Sequence, residues 1–260
     1  MSRYSMVAQA AFAKYKAAAD SIIAECKALN PGGEYVFIEA DIGLIRTVDE
    51  VRARIKARKT RLDILFLSQG TASLERNTLA HYSRTQFIAK LLPLLGPASC
   101  LRRVVTVGAA GFEGPIDTPD FGALDVAPRQ VRGHVATLIT LDLEALARHA
   151  PSVPFHVRYR GWMSPTESGE RHIYLLTSSR YPARNEDAGL VQLDGDGVSD
   201  ADVIRGTDGK LGSGVYAVGL DGECVSMETL DFLDTLRKKE MVDLVWEHTV
   251  GVFERIAQTG

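Results

Sequence analysis

Two stretches decide the fold: Arg61-Leu-Asp-Ile-Leu-Phe-Leu-Ser-Gln-Gly70 and Leu101-Arg-Arg-Val-Val-Thr-Val-Gly-Ala-Ala-Gly111. Each is a short apolar run closing on a glycine turn, the pattern of a strand buried on both faces. Glu34-Tyr-Val-Phe-Ile-Glu-Ala40 and the stretch 153–157 read as further strands. Helical stretches lie between them. One spans 48–59, with Thr47 as its cap and Glu50 completing a capping box. A second sets Leu79, Tyr82, Ile88, Leu91, Leu92 and Leu95 at helical spacing and ends at Pro97. A third spans 132–150. Buried strands alternating with helices predict an α/β fold built on a doubly wound, mostly parallel sheet.

Outward from that core the pattern changes. Residues 8–29 favour helix and stop at Asn30-Pro-Gly-Gly33. After Gly161 the periodicity weakens. A helix is expected near 170–179, and an Asp- and Gly-rich loop region at 185–214. A strand and turn follow in Gly214-Val-Tyr-Ala-Val-Gly-Leu-Asp-Gly222, where Asp-Gly suits positive φ, and closing helices at 227–237 and 241–256. The expectation is one domain over 1–260, with a regular core at 34–160 and a looser, irregular C-terminal lobe at 161–260.

Composition narrows the function classes. The chain has 260 residues, 45% hydrophobic and 24% charged, with a net charge of −3. That balance gives no general pull toward nucleic acid or an anionic membrane. No apolar run approaches the ~20 residues needed to span a bilayer, and the start has no apolar stretch of secretion-signal length. Cys26, Cys100 and Cys224 are odd in number and far apart, which speaks against a disulfide framework. A cytoplasmic, reduced protein acting on a small molecule is the expectation.

Several tracts carry a resemblance. Ala40-Asp41-Ile42, the strand ending at Gly70, the strand ending at Gly111 and the helix leading into Leu143-Glu-Ala-Leu-Ala147 resemble short-chain dehydrogenases/reductases in order and spacing. Lys16-Ala-Ala-Ala-Asp20, Phe66-Leu-Ser-Gln-Gly70, His81-Tyr-Ser-Arg84, Gly114-Pro-Ile-Asp117, Arg171-His172, Arg180-Tyr-Pro182 and Trp246-Glu-His248 look like a fungal subgroup linked to secondary metabolism. The resemblance implies a Rossmann-like sheet, oxidoreductase activity and NADP or NAD as cofactor. It places Asp41 beside the adenine ring, and Ser68 and Gly70 in a turn bordering the cofactor.

The same resemblance exposes departures. A pyrophosphate is held by backbone N–H groups at a helix N-terminus, approached closely through glycines. Here no glycine precedes Gly32, so the Rossmann-like sheet is expected to be truncated at its first strands, and the chain to bind no cofactor or to hold it by other residues. Gly108-Ala109 falls where the family has its serine. No Tyr lies between Tyr82 and Tyr159 and no Lys between Lys90 and Lys210, so the Tyr-x-x-x-Lys acid–base pair is absent. His134 is the candidate replacement acid of the right chemical type, against a plain packing role for a lone histidine at a helix start, with Arg132 as a candidate phosphate or substrate anchor. Arg158, Arg160, Tyr159 and Trp162 follow a strand at the edge where open α/β sheets bind ligands, and Arg160 and Trp162 are the candidate substrate contacts.

Other patterns are weaker. Asp194-Gly-Asp-Gly-Val-Ser-Asp-Ala-Asp202 lacks the ligand order of a calcium loop, and no metal site is expected. Arg102-Arg103 reads as a solvated strand start, and Glu170-Arg171-His172 and Glu247-His248 as surface helix positions. By descent the choice is a short-chain dehydrogenase/reductase-like oxidoreductase of secondary metabolism, with a non-redox binding protein, isomerase or cyclase, or an inactive chain or partner subunit, as alternatives. Losing a central strand is expected to leave an exposed edge on 34–40 or 104–107, and such edges promote homo-oligomers.

Overall fold

The protein is described by a computed structural model over residues 6–7, 16–70, 81–97, 101–159, 163–184 and 203–259. Strand β1 (Met6–Val7) pairs in parallel with β2 (Tyr35–Val36), and α1 (Lys16–Leu29) lies between them in the chain. This two-stranded ribbon stands apart from the main sheet. Within 34–40 the strand itself is two residues long, Tyr35–Val36, and 6–7 is a strand where helix-like composition prevails.

The main sheet holds β3 (Ile64–Leu67), β4 (Arg103–Gly108), β5 (Phe155–Tyr159) and β6 (Val215–Val218) in that order, all parallel. Helices α2 (Ile45–Lys56), α3 (Tyr82–Leu95), α4 (Pro128–His149), α5 (Pro165–Thr177), α6 (Met227–Arg237) and α7 (Met241–Gln258) surround it. The α/β fold with a truncated parallel sheet is thus the observed one. Strand β6 comes from the stretch of weak periodicity, yet all of its side chains are buried. Among the described residues the sheet edges fall on β3 and β6, not on 104–107, because β4 is enclosed between β3 and β5.

Register sorts the side chains into two faces. Leu65, Val104, Phe155 and Val215 lie in one row and pack into the large core with α2, α3 and α4. Phe66, Val105, His156 and Tyr216 form the next row and point to the other face, where Leu175 and Tyr181 cover much of it. On the first side α4 is doubly covered. Its Leu138, Leu141 and Ala145 pack with Leu233, Val242 and Val245 of α6 and α7.

Two local readings are corrected. Helix α2 starts at Ile45, and its cap residue Leu44 makes no side-chain cap bond, so Thr47 and Glu50 form no capping box. The Asp41 carboxylate accepts from the Gly43 N–H (3.0 Å), and this turn starts the helix before Thr47 is reached. Arg103 is buried, not solvated. Its guanidinium donates to the carbonyls of Ser178 and Tyr181, over the Tyr181 ring.

Candidate functional site

The carboxyl ends of the strands converge on one edge, and a buried arginine ties two of them together. Arg84 of α3 is 5% exposed. Its Nε donates to the Gln69 carbonyl (2.7 Å), with Nη2 on the same oxygen, and its Nη1 donates to Thr106 Oγ1 (2.8 Å) and the Val107 carbonyl (2.6 Å). Burial lowers its pKa to about 10, and the acceptors fix the guanidinium without a carboxylate. Ser68 is half-buried and Gly70 exposed. A Cβ at Gly70 would lie 3.1 Å from Arg84 Nη2, so the turn is closed down on that guanidinium. Asp41 is exposed, its Oδ1 committed to the turn before α2.

The loop from β4 to α4 holds a carboxyl group that sequence reasoning passed over. Glu113 Oε2 accepts from the Gly111 N–H (2.7 Å), and Oε1 accepts from the Thr140 hydroxyl (3.0 Å). Gly111 has φ +82°, which only glycine adopts without strain. Burial pushes the Glu113 carboxyl up, against these hydrogen bonds. Its signal in the sequence is faint, one glutamate just after a glycine turn.

His134 lies one turn into α4 and is 0% exposed. Its Nδ1 accepts from the Asp117 N–H (3.2 Å), and its Nε2 donates to the Phe121 carbonyl (3.1 Å). Both ring nitrogens are therefore spent on holding the β4–α4 loop. Arg132 is exposed, its guanidinium 3.5 Å from the centre of the Phe112 ring. Arg160, Trp162 and the acidic loop at 194–202 lie outside the described residues. Among the described residues no group of His, Cys, Asp or Glu is arranged to hold a metal.

Beside the ends of β5 and β6, on the α5 face, is a cleft of about 220 Å³. Arg158 of β5, Arg171 and Tyr174 of α5, Tyr181, and the β6 turn at Leu220 and Gly222 form its walls. Serine 164 caps α5 by accepting from the Glu167 N–H, which holds that wall in place. The Tyr181 hydroxyl donates to the Gly222 carbonyl (2.7 Å), and Gly222 has φ +84°. The sequence placed Arg158 at this edge. What it did not show is that Arg158 is 2% exposed, with Nη1 bonded to nothing.

A second polar cluster lies in the seam between α3, α4 and α7. His81 Nε2 donates to Asp142 Oδ2 (2.7 Å), and the Thr85 and Thr249 hydroxyls donate to the same oxygen. The Tyr82 hydroxyl donates to His248 Nε2 (2.7 Å). Burial and the Asp142 charge raise the Tyr82 pKa to about 12, while burial and nearby cationic groups push His248 down. His248 is thus a bonding partner of α3, not a surface position. His81 and Asp142 are sealed from solvent and serve to join helices.

A dinucleotide would need a pyrophosphate cradle. Gly32 and Gly33, the first glycines of the chain, follow the C-terminus of α1 instead of opening a helix. Asp41, Ser68 and Gly70 can border a nucleotide, but the described residues do not fit its pyrophosphate.

No family model matches the chain. An oxidoreductase of Emericella nidulans is 33% identical over 275 residues, covering 90% of this chain and 80% of that protein. The NmrA-like family domain-containing oxidoreductase notO of an Aspergillus species is 31% identical over 292 residues, covering 99% and 82%. Both alignments are longer than the 260 residues of this chain, so these relatives hold internal segments that have no counterpart here. The short-chain dehydrogenase/reductase SAT2 of Stachybotrys chartarum is 26% identical, covering 92% and 81%. A solved Burkholderia multivorans structure assigned to the short-chain alcohol dehydrogenases superposes with a TM-score of 0.52 at 14% identity, over 86% of this chain and 99% of that one, a likeness of fold alone. No helix among the described residues is long and apolar enough to cross a membrane. Topology and a relative at 33% identity agree: the chain belongs to the short-chain dehydrogenase/reductase-like oxidoreductases.

Proposed function

We propose that this chain is a small-molecule-binding member of the short-chain dehydrogenase/reductase line, from its secondary-metabolite branch, and that its own residues do not carry the family's hydride-transfer step. The observation behind this reading is α4. From Pro128 to His149 it holds neither tyrosine nor lysine, and His134, its imidazole near the β4–α4 loop, has both nitrogens bonded to backbone. Where the resemblance implies a serine, Ala109 offers no hydroxyl. The nicotinamide dinucleotide of the family, NADP or NAD, would meet Asp41, Ser68 and Gly70 here without a glycine cradle for its phosphates. The strand-end cleft keeps the position at which open α/β sheets bind ligands.

A second reading is favoured by Glu113. Burial pushes the Glu113 carboxyl up, the direction that favours a proton donor, and it would serve a redox or isomerising reaction in place of the missing phenol. Calorimetric titration of the full chain with NADH and NADPH separates the two. The first reading expects no binding at millimolar cofactor. Micromolar binding of either, with carbonyl reduction that Glu113→Gln abolishes, would establish the second.

A further inference from the structure

We propose that the cleft between α5 and β6 is a binding site for a small organic monocarboxylate, anchored on Arg158. The site goes beyond the reading above and stands whether or not the chain transfers hydride.

The argument starts from an imbalance. Burying a guanidinium is unfavourable unless its donors meet acceptors, and an unmet charge is the worst case. Arg84 and Arg103, equally buried, place their Nη donors on backbone carbonyls or a hydroxyl. Arg158 differs. It is 2% exposed, Nη1 has no partner, and it lies on the wall of a cleft. Burial and the neighbouring Arg171 charge both press its pKa down, the mark of a cation lacking compensation. His172 sits close enough to feel that charge. Its Nδ1 donates to the Ser168 carbonyl (2.6 Å), leaving Nε2 buried without a partner. A guanidinium donor held buried on a cleft wall without an acceptor marks a place for a ligand that brings one.

Charge sets the class of ligand. The other cation on the wall, Arg171, is already neutralised by Glu167 (2.8 Å) and donates to the Leu220 carbonyl. Arg158 Nη1, by contrast, has no acceptor. Glu170 and Asp221 stand exposed at the rim, where they oppose a second negative charge. A monoanion fits this balance and a phosphate dianion does not. A planar carboxylate matches the guanidinium fork. Tyr174 and Tyr181, packed edge to face, give one aromatic wall, and about 220 Å³ is below the ~300 Å³ lower bound for drug-sized pockets, so the acid is small, of about one ring.

The test uses the full chain with three probes: benzoate, its neutral counterpart benzamide, and inorganic phosphate. Benzoate should raise Tm and bind at least about tenfold more tightly than benzamide, the equivalent of one charge-assisted hydrogen bond, while phosphate does not compete. Arg158→Met should erase the preference and raise the Tm of the ligand-free protein, because it removes an uncompensated charge. Arg158→Lys, which keeps the charge but loses the fork, should fold in any event and lose most of the preference. Equal binding of benzoate and benzamide would overturn the proposal. So would competition by phosphate, or unchanged benzoate affinity in Arg158→Lys.

Discussion

The seam of α3, α4 and α7 and the cleft beneath α5 are both rich in polar side chains, yet they are finished to different degrees. In the seam, three donors meet one oxygen of Asp142 while its Oδ1 is buried without a partner, and Tyr82 meets His248 across 166 residues of chain. On the cleft wall, Arg158 Nη1 meets nothing. Polar groups that close on one another hold helices together. Groups held buried and left open, at the mouth of a parallel sheet, are poised for something that arrives from outside. The chain keeps the first kind where the family resemblance implies catalysis, around His134, and the second kind one strand further along.

Mutations can break this contrast, beginning with the largest effect. Asp142→Ala should cost about 3 kcal/mol, since His81, Thr85 and Thr249 all lose their acceptor. Denaturant unfolding would show it, with a Tm drop on the order of 10 °C. A loss within a few tenths of a kcal/mol would mean that the seam is not the closed network described. Arg158→Met should move stability the other way, by about 2 kcal/mol, as an unpaired buried charge gives way to an apolar side chain of similar length. If it destabilises, the guanidinium has a protein partner and the contrast fails.

Smaller effects sharpen the comparison. Gly222→Ala should cost about 1 kcal/mol because the residue sits at φ +84°. The added methyl, 3.3 Å from the Tyr181 hydroxyl, should also weaken benzoate binding. Ser164→Ala should cost about 1 kcal/mol through the lost α5 cap. That loss would be read in the cleft and not in the seam.

Protons offer the mildest perturbation. His248 is held below its ordinary value by burial and by the charges of His81 and Arg255. Its folded pKa being depressed, the unfolded chain takes up the proton first as pH falls. The stability this residue contributes is therefore present above about pH 6.5 and lost as pH drops through that value. Between pH 7 and pH 5, His248→Gln should lose less Tm than the parent chain. An equal or greater loss would mean that His248 is not held neutral by the seam.

The strands at 61–70 and 101–111 were legible because buried parallel strands are continuous apolar runs, and α6 and α7 because their apolar faces repeat at helical spacing. The start of α2 was misread because an Asp41 turn, not a hydroxyl cap, initiates it. Arg103 looked solvated because nothing in its neighbours announces the carbonyls of Ser178 and Tyr181, which arrive from 75 and 78 residues away. The same limit applies to the site. Sequence placed Arg158 near the ligand edge by its position after a strand, but burial and the lack of a partner are properties of the folded neighbourhood. His134 was chosen by chemical type, and its bonds to Asp117 and Phe121 are set by the path of the β4–α4 loop.

The most direct measurement is a crystal structure of the full chain grown with benzoate. The account predicts the carboxylate in the cleft, within hydrogen-bonding distance of the Arg158 guanidinium and with the ring against Tyr174. A structure with the cleft empty and Arg158 paired to a carboxylate of the chain itself would contradict it.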